Sequence, residues 1–572
     1  MYVFTYCHCF GRMCVVSATI SVNRSTAGSP LEMPRCVNTS VLQRVSSYAQ
    51  TFAVTAPFQY AHLASGSSSK HHPANYRNLS SWAGVRSTQL SSGNEKTGNK
   101  SQFRRHLSTR KDLDFQLSQV HINNILRCNE QTVSVPEFDG RKLSAVRKFE
   151  SNQVAANTPN EDRCCAATCL QSEGMLFGVF DGHGGWACAQ AVSERLLYYI
   201  AVAMMSKKSL EELEQCVEHS RPVPPILQCY KHHTDFNYQE SASLYMDHLR
   251  VFWQDLLNNE EHGDGMSPCD ALLCGFKRLD ADISLEAQIL SSSDLMKSTA
   301  IQVAFSGCTA CVAHVGTDGI HVANAGDCRV VLGVQEEDGS WSALPLSRDH
   351  NSKNQAEVDR ITAQHPPSER HTVVTDDRLL GVLMPLRAFG DVGFKWSLEL
   401  QETILANYES RVDLDSLDLY QYEPPNYLTP PYLDVTPELT YHKLRPQDRF
   451  LILASDGLWD ELGNEEAVQL IGEHQSGIHL QGPLSPSERQ LRLGQMHELL
   501  LKRQTRAFTA LDTNSATHLI RHALGTGEYG QLCQDRLAAI LALPEDLARM
   551  YRDDITATMV YLNSDSARLQ RN

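Results

Sequence analysis

The sequence predicts an α+β fold in which antiparallel strands are combined with helices. Between Ser306 and Leu346, short apolar stretches alternate with Gly- and Asp-containing turns of the kind that join antiparallel strands. Apolar residues recur at helical spacing in Ala242–Asn258 and Cys269–Leu290. At 572 residues the chain is long enough for one large domain with insertions or for two domains.

The composition narrows the classes of protein that the chain can belong to. Hydrophobic residues make up 42% of the sequence, which is ordinary for a globular protein, and no run of about 18 apolar residues predicts a membrane span. The formal net charge of −16 argues against general nucleic-acid binding. It is consistent with clusters of carboxylates that are neutralised when cations bind.

The amino-terminal region has a composition of its own. Up to Arg110 the only acidic residues are Glu32 and Glu95, whereas arginine, lysine and serine are frequent. Such a basic, Ser-rich and acid-poor stretch is typical of a mitochondrial transit peptide, and a disordered tail is the alternative. We therefore expect a transit peptide or disordered segment over 1–110, a lead-in segment over 111–148 and one folded domain over 149–565. Insertions are expected at about 206–300, 397–446 and 474–550.

The first stretch that suggests chemistry is a predicted strand that ends in Asp181-Gly-His183-Gly-Gly185. A carboxylate at the tip of a buried strand is held rigidly, as a metal ligand must be. The glycines allow a sharp turn and leave the Gly182 carbonyl free to face an ion. His183 can point into the same cleft. The residues alone leave open two other readings, in which Asp181 only caps the following helix and His183 only supports the turn.

Four further acids flank predicted strands far apart in the sequence: Glu161, Asp327, Asp456 and Asp553. Carboxylates gathered at one end of a strand core repel each other unless cations lie among them. All-oxygen ligands favour Mg²⁺ or Mn²⁺. One shared carboxylate can bridge two such ions about 3.5–4 Å apart, and a water between them becomes hydroxide near neutral pH. This arrangement suits in-line attack on phosphorus, with His183 protonating the leaving alkoxide as general acid.

At these residues the sequence resembles the metal-dependent Ser/Thr protein phosphatases, the PPM family. The similarity runs in the family's order from about Phe149 to Leu562, and its segments together are very specific although each one is weak. The segments are Asn160-Glu161-Asp162, Phe180-Asp-Gly-His-Gly-Gly185, Ser306-Gly307 to Thr309-Ala310, Asn324-Ala-Gly-Asp-Cys-Arg329, Arg387-Ala-Phe-Gly-Asp391, Ala454-Ser-Asp-Gly-Leu-Trp459 and Arg552-Asp-Asp-Ile-Thr556.

Three other stretches resemble one branch of that family, the mitochondrial pyruvate dehydrogenase phosphatase catalytic subunits. They are Ser151-Asn-Gln153, Leu444-Arg-Pro-Gln-Asp448 and Pro544-Glu-Asp-Leu-Ala-Arg-Met-Tyr-Arg-Asp-Asp-Ile555. This resemblance implies a mitochondrial matrix enzyme that reactivates pyruvate dehydrogenase by dephosphorylating serine on its E1 α subunit. It also implies docking on the lipoyl domain of the E2 core and a regulatory subunit as a partner. The implied fold is two stacked antiparallel β-sheets flanked by helices.

The resemblance also implies a role for each site residue. Asp181 would bridge two Mg²⁺ or Mn²⁺ ions, the Gly182 carbonyl would ligate one of them, and Asp456 and Asp553 would bind the other. His183 is similar to the family's general acid. The remaining two acids complete the implied set: Glu161, oriented through metal-bound waters, and Asp327, a ligand of a weaker third ion.

One position departs from the family pattern. Much of the family has an arginine four residues before the Glu161 position, where it holds the substrate phosphate, and this chain has Asn157 there. Phosphate binding is therefore expected to depend more on the metals and on asparagine-type hydrogen bonds, or on another arginine such as Arg163. The sequence leaves these alternatives open.

Three alternative functions remain to be compared with this one. A phosphatase that forms an aspartyl-phosphate needs an Asp-x-Asp pair after an early strand; Asp181-Gly-His183 lacks the second Asp, and Asp280-Ala-Asp282 lies in a helical pattern. A catalytically dead relative that only binds partners would have lost at least one core acid, and all are present. An enzyme with the same chemistry and another mitochondrial substrate is the remaining alternative.

Overall fold

In this computed structural model the described residues are 8–9, 12–13, 117–136, 144–230, 239–289, 294–409, 424–477, 511–527 and 532–563. The chain divides into two units, Met1–Pro57 and Phe58–Asn572. In the first unit, His8–Cys9 pairs antiparallel with Arg12–Met13. Apart from these four residues, the predicted transit peptide over 1–110 lies outside the described residues. All elements named below belong to the second unit.

Twelve labelled strands form the two main sheets of the described chain. They are β1 Gln131–Ser134, β2 Val146–Val154, β3 Arg163–Cys169, β4 Met175–His183, β5 Leu227–Cys229, β6 Gly307–Val315, β7 Gly319–Ala325, β8 Arg329–Gln335, β9 Trp341–Pro345, β10 Glu438–Lys443, β11 Asp448–Ala454 and β12 Ile555–Leu562.

Thirteen α-helices are found among the described residues. They are α1 Gln119–Arg127, α2 Ala187–Ala203, α3 Lys207–Glu218, α4 Gln239–Asn258, α5 Pro268–Gln288, α6 Asp294–Phe305, α7 Gln355–Gln364, α8 Leu398–Glu409, α9 Asp456–Trp459, α10 Asn464–Ser476, α11 Ser515–Gly525, α12 Gln534–Leu541 and α13 Glu545–Tyr551. None of the helices in the described ranges has the length and apolar character needed to cross a bilayer.

The strands form two antiparallel sheets. The first has the order β9-β8-β11-β12-β2-β1, and the second has the order β10-β7-β6-β4-β3-β5, with the two-residue strand Phe389–Gly390 also paired to β6. Every neighbouring pair in both sheets is antiparallel. The antiparallel α+β fold predicted from the sequence is confirmed.

The alternation of side chains in β11 explains the layered core. Leu451 and Leu453 belong to the apolar cluster that also contains Phe149 and Phe177, one from each sheet, so this cluster lies between the sheets. The intervening Ile452 packs in a second cluster, with α10 and α11. Both clusters form because successive residues of a strand face opposite sides of the sheet.

The second sheet is covered on its outer side by helices α2 and α5. Leu196 of α2 and Phe276 of α5 share a cluster with Ala310 and Val312 of β6. The second unit is therefore layered as helices, sheet, sheet and helices, as the resemblance implied.

Two of the predicted boundaries differ from the structure. The segment 111–148 contains α1 and β1, and β1 is hydrogen-bonded to β2, so the first sheet begins before Phe149. The segment 397–446 contains helix α8 and the edge strand β10, which pairs with β7. Both missed strands are short and half-exposed, and such edge strands have weak patterns of alternating hydrophobicity.

Part of the predicted 397–446 insertion packs beside the site rather than on the sheet. Tyr427, Tyr432 and Leu433 share a small apolar cluster with Ile361 of α7 and with Leu386. This cluster, formed by residues 361–394 and 427–433, stabilises the segment that leads to Asp391. Residues 410–423, in the middle of the predicted insertion, lie outside the described residues.

Candidate metal centre and active site

Three of the predicted metal ligands meet at one edge of the sandwich. Asp181 lies near the carboxyl end of β4, Asp327 lies in the turn between β7 and β8, and Asp456 follows β11 and opens α9. One carboxylate oxygen from each lies within 4.8 Å of the others. Antiparallel pairing sets Asp181 of β4 opposite Thr309 of β6, and it sets Arg329 of β8 opposite Ala454 of β11, so the turn that contains Asp327 lies beside the end of β11.

Burial and mutual repulsion act on this group. Burial raises the pKa of Asp181 well above its usual range, and the neighbouring carboxylates of Asp162, Asp456 and Asp327 raise it further. Burial raises the pKa of Asp327 well above its usual range as well, with Asp456 and Asp349 adding to the effect. Among the described residues, neither Asp181 nor Asp327 has an arginine or lysine within ion-pair distance.

These observations fit a bound hard cation. A group made only of carboxylates supplies oxygen ligands, which Mg²⁺ and Mn²⁺ prefer. Divalent cations would also allow all three acids to ionise in a buried place, which burial and repulsion otherwise oppose. The donor set therefore matches the divalent cations predicted from the sequence.

Gly182 lies where no side chain fits. A Cβ on Gly182 would lie 2.5 Å from the backbone oxygen of Glu161 and 3.0 Å from Cβ of Ala189. The lack of a Cβ lets β4 approach the loop between β2 and β3 closely. That approach brings the Glu161 backbone next to Gly182, while metal ligation by the Gly182 carbonyl stays a prediction.

Glu161 is held by backbone and side-chain donors at the rim of the site. Its Oε1 accepts a hydrogen bond from the Gly185 N–H at 2.8 Å, and its Oε2 accepts one from Asn157 Nδ2 at 3.1 Å. Burial raises the pKa of Glu161, and the hydrogen bond from Gly185 opposes this effect. Glu161 is outside the group of three carboxylates that lie within 4.8 Å of one another.

The adjacent acids Asp553 and Asp554 have different surroundings. Asp553 forms an ion pair with Arg549, and a Cβ on Gly457 would lie 3.2 Å from Cβ of Asp553, which places Asp553 next to the start of α9. Asp554 is buried and its carboxylate accepts hydrogen bonds from the N–H groups of Ala156, Asn157 and Glu161 and from the Asn157 amide.

This difference is relevant to which acid can ligate a metal. The carboxylate of Asp554 already stabilises the loop between β2 and β3, whereas the side chain of Asp553 is about one third exposed. Asp553 is therefore freer than Asp554 to ligate a metal, and the choice of Asp553 made from the sequence stays a prediction. Asp553 does not lie in the group of three, and its role as a ligand stays a prediction.

Sequence reasoning gave no role to Asp162, although it lies in the Asn160-Glu161-Asp162 motif. Asp162 is buried, and its Oδ2 accepts a hydrogen bond of 2.7 Å from Ser455 Oγ. Burial raises the pKa of Asp162 to about 7, with a further contribution from the Asp554 charge. Asp162 therefore belongs to the same acidic region. The available signal was its position next to Glu161 at the start of a strand.

His183 has a partner that the sequence did not predict. Its Nε2 lies 2.6 Å from Oδ2 of Asp391, the last residue of the Arg387-Ala-Phe-Gly-Asp391 motif. Burial acts to lower the pKa of His183, but the Asp391 carboxylate outweighs this effect and the pKa lies above its usual range. A Cβ on Gly307, which pairs with His183, would overlap both side chains. Gly307 therefore provides the space for this pair.

The motif that ends in Asp391 is held by a charged network. Asp391 adopts a left-handed backbone conformation with φ of 49°, which is uncommon for a residue other than glycine. Nearby, Arg387 donates two hydrogen bonds of 2.7 Å to the buried carboxylate of Glu357 in α7, and one to the carbonyl of Thr436. The motif that ends in Asp391 is thus fixed to α7 and to the chain that leads into β10.

The chain is similar to known proteins over most of its length. The family model for protein phosphatase 2C matches residues 233–487. The chain is 53% identical over 464 residues to human "[Pyruvate dehydrogenase [acetyl-transferring]]-phosphatase 2, mitochondrial", covering 81% of this chain and 87% of that protein. It is 51% identical over 466 residues to the corresponding human phosphatase 1, covering 81% and 86%. A protein phosphatase 2C homolog from Schizosaccharomyces pombe is 31% identical over 441 residues, covering 76% and 83%.

The two human relatives are named as mitochondrial proteins, and the similarity extends over most of their length, so a mitochondrial location follows for this chain. The family is one of metal-dependent phosphatases, which accords with the cluster of carboxylates. The chain belongs to the protein phosphatase 2C family, in the branch of the mitochondrial pyruvate dehydrogenase phosphatases.

Proposed function

We propose that this chain is a mitochondrial matrix protein serine phosphatase that hydrolyses phosphoserine on the E1 α subunit of pyruvate dehydrogenase and so reactivates that enzyme. The observation that carries the proposal is the group formed by the buried carboxylate Asp327 and the half-buried carboxylates Asp181 and Asp456, which supplies oxygen ligands alone. The substrate is supported by the printed names of the two human relatives, both pyruvate dehydrogenase phosphatases.

The acidic edge would hold two Mg²⁺ or Mn²⁺ ions and a weaker third ion. Asp181 would bridge the two principal ions, and the Gly182 carbonyl, Asp456 and Asp553 would complete their protein ligands. Glu161 would orient water at the rim, and Asp327 would contribute to the third ion. When bound, the ions polarise a water molecule for in-line attack on phosphorus and neutralise the charge of the phosphate.

His183 would supply the proton that the leaving group needs. As the oxygen of water bonds to phosphorus, the bond between phosphorus and serine Oγ breaks, and Oγ takes a proton from the imidazolium of His183. The products are serine and inorganic phosphate, and the neutral imidazole takes up a proton in place of the one it donated, which balances the proton that the attacking water releases and restores the imidazolium. Because His183 Nε2 faces Asp391, the proton available to the substrate is the one on Nδ1.

Docking would use chain outside the two sheets. The E2 lipoyl domain and a regulatory subunit are the partners we propose, and the insertions over about 206–300 and 397–446 are the segments we expect to contact them. The apolar cluster that includes Tyr427 and Tyr432 supports this choice, because it gives part of the second insertion a fixed shape next to Asp391. Crosslinking of the chain to the isolated lipoyl domain, followed by mapping of the linked residues, tests it.

The test of function is phosphate release by the full chain from phosphorylated pyruvate dehydrogenase complex. It is run with Mg²⁺, with EDTA, and with the Asp181→Asn variant. Asp338→Asn serves as the matched control, since Asp338 is an exposed aspartate in the turn between β8 and β9. We expect release that requires Mg²⁺, is lost in Asp181→Asn and is kept in Asp338→Asn.

The other outcomes separate chemistry from substrate. Metal-dependent hydrolysis of p-nitrophenyl phosphate without release from E1 would keep the phosphatase chemistry and reject pyruvate dehydrogenase as the substrate. Absence of release from both substrates by the wild-type chain would contradict the proposal and favour a catalytically dead relative.

A further inference from the structure

The acidic edge presents an electrostatic problem for a phosphate ester. Glu161, Asp162, Asp181, Asp456 and Asp553 all lie at or beside it, and a phosphate dianion that approaches them meets negative charge on several sides. Bound divalent ions reduce this repulsion at the centre of the site. A cationic side chain at the rim would reduce it further and would orient the phosphate.

Asn157, which stands at the position where much of the family has an arginine, does not provide the missing donor. Its amide nitrogen donates one hydrogen bond to Glu161 Oε2 at 3.1 Å and another to Asp554 Oδ2 at 2.9 Å. Since an amide group has only two N–H donors, both are used within the protein. The expectation that asparagine-type hydrogen bonds hold the phosphate is therefore not supported by the geometry.

Two nearby arginines are also engaged. Arg163, the alternative suggested by the sequence, donates through Nη1 to the carbonyls of Asn160 and Asp162 at 2.8 and 2.7 Å, and through Nε to Gln190. Arg552 donates to the carbonyls of Asp553 and Ala155, and burial lowers its pKa. Both guanidinium groups therefore already donate hydrogen bonds to protein groups around the site.

Arg549 is different in contacts and exposure. It lies in the last turn of α13, and Nη1 forms an ion pair with Oδ1 of Asp553. Within the described chain, no other hydrogen bond or ion pair of its side chain is found, and 48% of the side chain is exposed. A guanidinium has five N–H donors, so the contact with Asp553 leaves donors that face solvent.

Arg549 lies at the rim of the acidic edge. Its partner Asp553 lies next to Gly457, which follows Asp456 in the sequence. The guanidinium therefore lies beside Asp553 at the rim of the acidic edge, where we expect a substrate phosphate to enter.

We infer that Arg549 binds the phosphate group of the substrate, in the role that Asn157 cannot fill. Its guanidinium keeps one contact with Asp553 and offers its remaining N–H groups to two phosphate oxygens, a geometry that arginine fits better than lysine. This inference rests on the proposed phosphatase function, because it names the residue that recognises the substrate at the same site.

The test measures binding of inorganic phosphate rather than turnover. Calorimetric titration of phosphate into the full chain at saturating Mg²⁺ compares the wild type with Arg549→Gln and Arg549→Lys. The matched control is Arg445→Gln: Arg445 is 44% exposed and pairs with Asp448 at the opposite end of β11, as Arg549 pairs with Asp553. A second titration measures Mg²⁺ affinity without phosphate, and circular dichroism checks that each variant is folded.

We expect Arg549→Gln to weaken phosphate binding by roughly 10- to 100-fold, as for loss of a charge-assisted hydrogen-bonding partner. Arg549→Lys should be intermediate and Arg445→Gln unchanged. Mg²⁺ affinity should be unchanged or higher in Arg549→Gln, because a cation next to Asp553 has been removed.

Unchanged phosphate affinity in Arg549→Gln, or a loss fully explained by weaker Mg²⁺ binding, would overturn the inference and leave Arg549 as a partner of Asp553 only. The same holds if phosphate fails to bind the Mg²⁺-loaded wild type. If phosphate binds as expected but phosphorylated E1 is not hydrolysed, the proposed substrate is wrong while the role of Arg549 stands. The two proposals can therefore fail separately.

Discussion

Buried carboxylates occur in two kinds of surroundings in this molecule. Away from the active edge, three buried carboxylates each accept two hydrogen bonds from an arginine. The pairs are Glu286 with Arg195, Asp512 with Arg521, and Glu357 with Arg387. At the active edge, Asp181 and Asp327 have no such arginine among the described residues, and their closest charged neighbours are other acids.

The comparison separates acids whose charge is balanced within the folded chain from acids whose charge is balanced only by a bound ligand. A buried acid that accepts two hydrogen bonds from one arginine has its charge balanced within the folded chain, and its main role is to maintain the structure. The charge of an acid that is surrounded by other acids is balanced only when cations bind, which indicates that its role is to bind them. The two groups should therefore respond in opposite ways when one charge is removed.

The largest effect is expected for Asp181→Asn. Turnover of phosphorylated E1 should fall by roughly 10³-fold or more, because the variant loses the carboxylate expected to bridge the ions. In EDTA, the melting temperature should be equal to or higher than that of the wild type, since one of several repelling charges is gone. Differential scanning calorimetry and phosphate release provide the measurements. A clear fall in the metal-free melting temperature would remove the distinction between the two groups.

The second effect concerns the satisfied pair of Asp512 and Arg521. Both side chains are almost fully buried, so Asp512→Asn leaves a guanidinium without its counter-charge and should lower the free energy of unfolding by about 3–5 kcal/mol. Urea unfolding measures the change, with the exposed Asp338→Asn as control. Loss of less than about 1 kcal/mol would show that this pair does not stabilise the fold in the way proposed here.

A smaller and more selective effect is expected for Asp391→Asn. The variant keeps a polar group near His183 but loses the charge that favours the imidazolium. Turnover of phosphoserine peptides should fall by roughly 10- to 100-fold, while p-nitrophenyl phosphate, whose leaving group needs no proton, should be nearly unaffected. His183→Ala should show the same selectivity with a larger loss. Equal losses on both substrates would exclude a general-acid role for His183.

The smallest effect is the pH dependence of stability contributed by Glu357. Burial tends to raise its pKa, but hydrogen bonds from Arg387 and Arg360 lower it from 4.5 to about 2. A carboxyl with a lowered pKa stabilises the fold above its unfolded pKa, and this contribution is lost as pH falls from about 4.5 to about 2.

Urea unfolding between pH 6 and pH 3 tests this expectation. Between pH 6 and pH 3.5, the free energy of unfolding of the wild type should fall by on the order of 1 kcal/mol. Glu357→Gln is already less stable at pH 6 and should not show this fall. Parallel pH profiles for the two proteins would mean that Glu357 does not contribute through its ionised form.

Much of the fold was predictable because its strands are apolar and their turns carry clear signals. The stretch ending in Asp181 and the one ending in Ala454 are nearly continuous apolar runs, and both are buried strands in the structure. The edge strands β1 and β10 were missed because none of their residues is buried, so hydrophobicity alone does not distinguish them from loops.

The candidate site divides in the same way. Asp181, Asp327 and Asp456 were predictable because an acid at the end of an apolar strand is unusual in sequence. The pairing of His183 with Asp391 and the contact of Asn157 with Asp554 were not, because each joins residues far apart in the sequence that meet only through the three-dimensional packing of loops. The pair of Arg549 and Asp553 joins residues only four apart, but the sequence alone does not show that it lies beside Gly457.

The position of β12 has a consequence for how the protein is made. This strand is the last described element of the chain, yet it lies between β11 and β2 in the interior of the first sheet. The first sheet cannot close until β12 has been made, so β11 and β2 must stay unpaired at this position until then. A frameshift or early stop shortly before Ile555 would therefore remove a central strand, and we expect such an allele to be as severe as loss of the whole gene product.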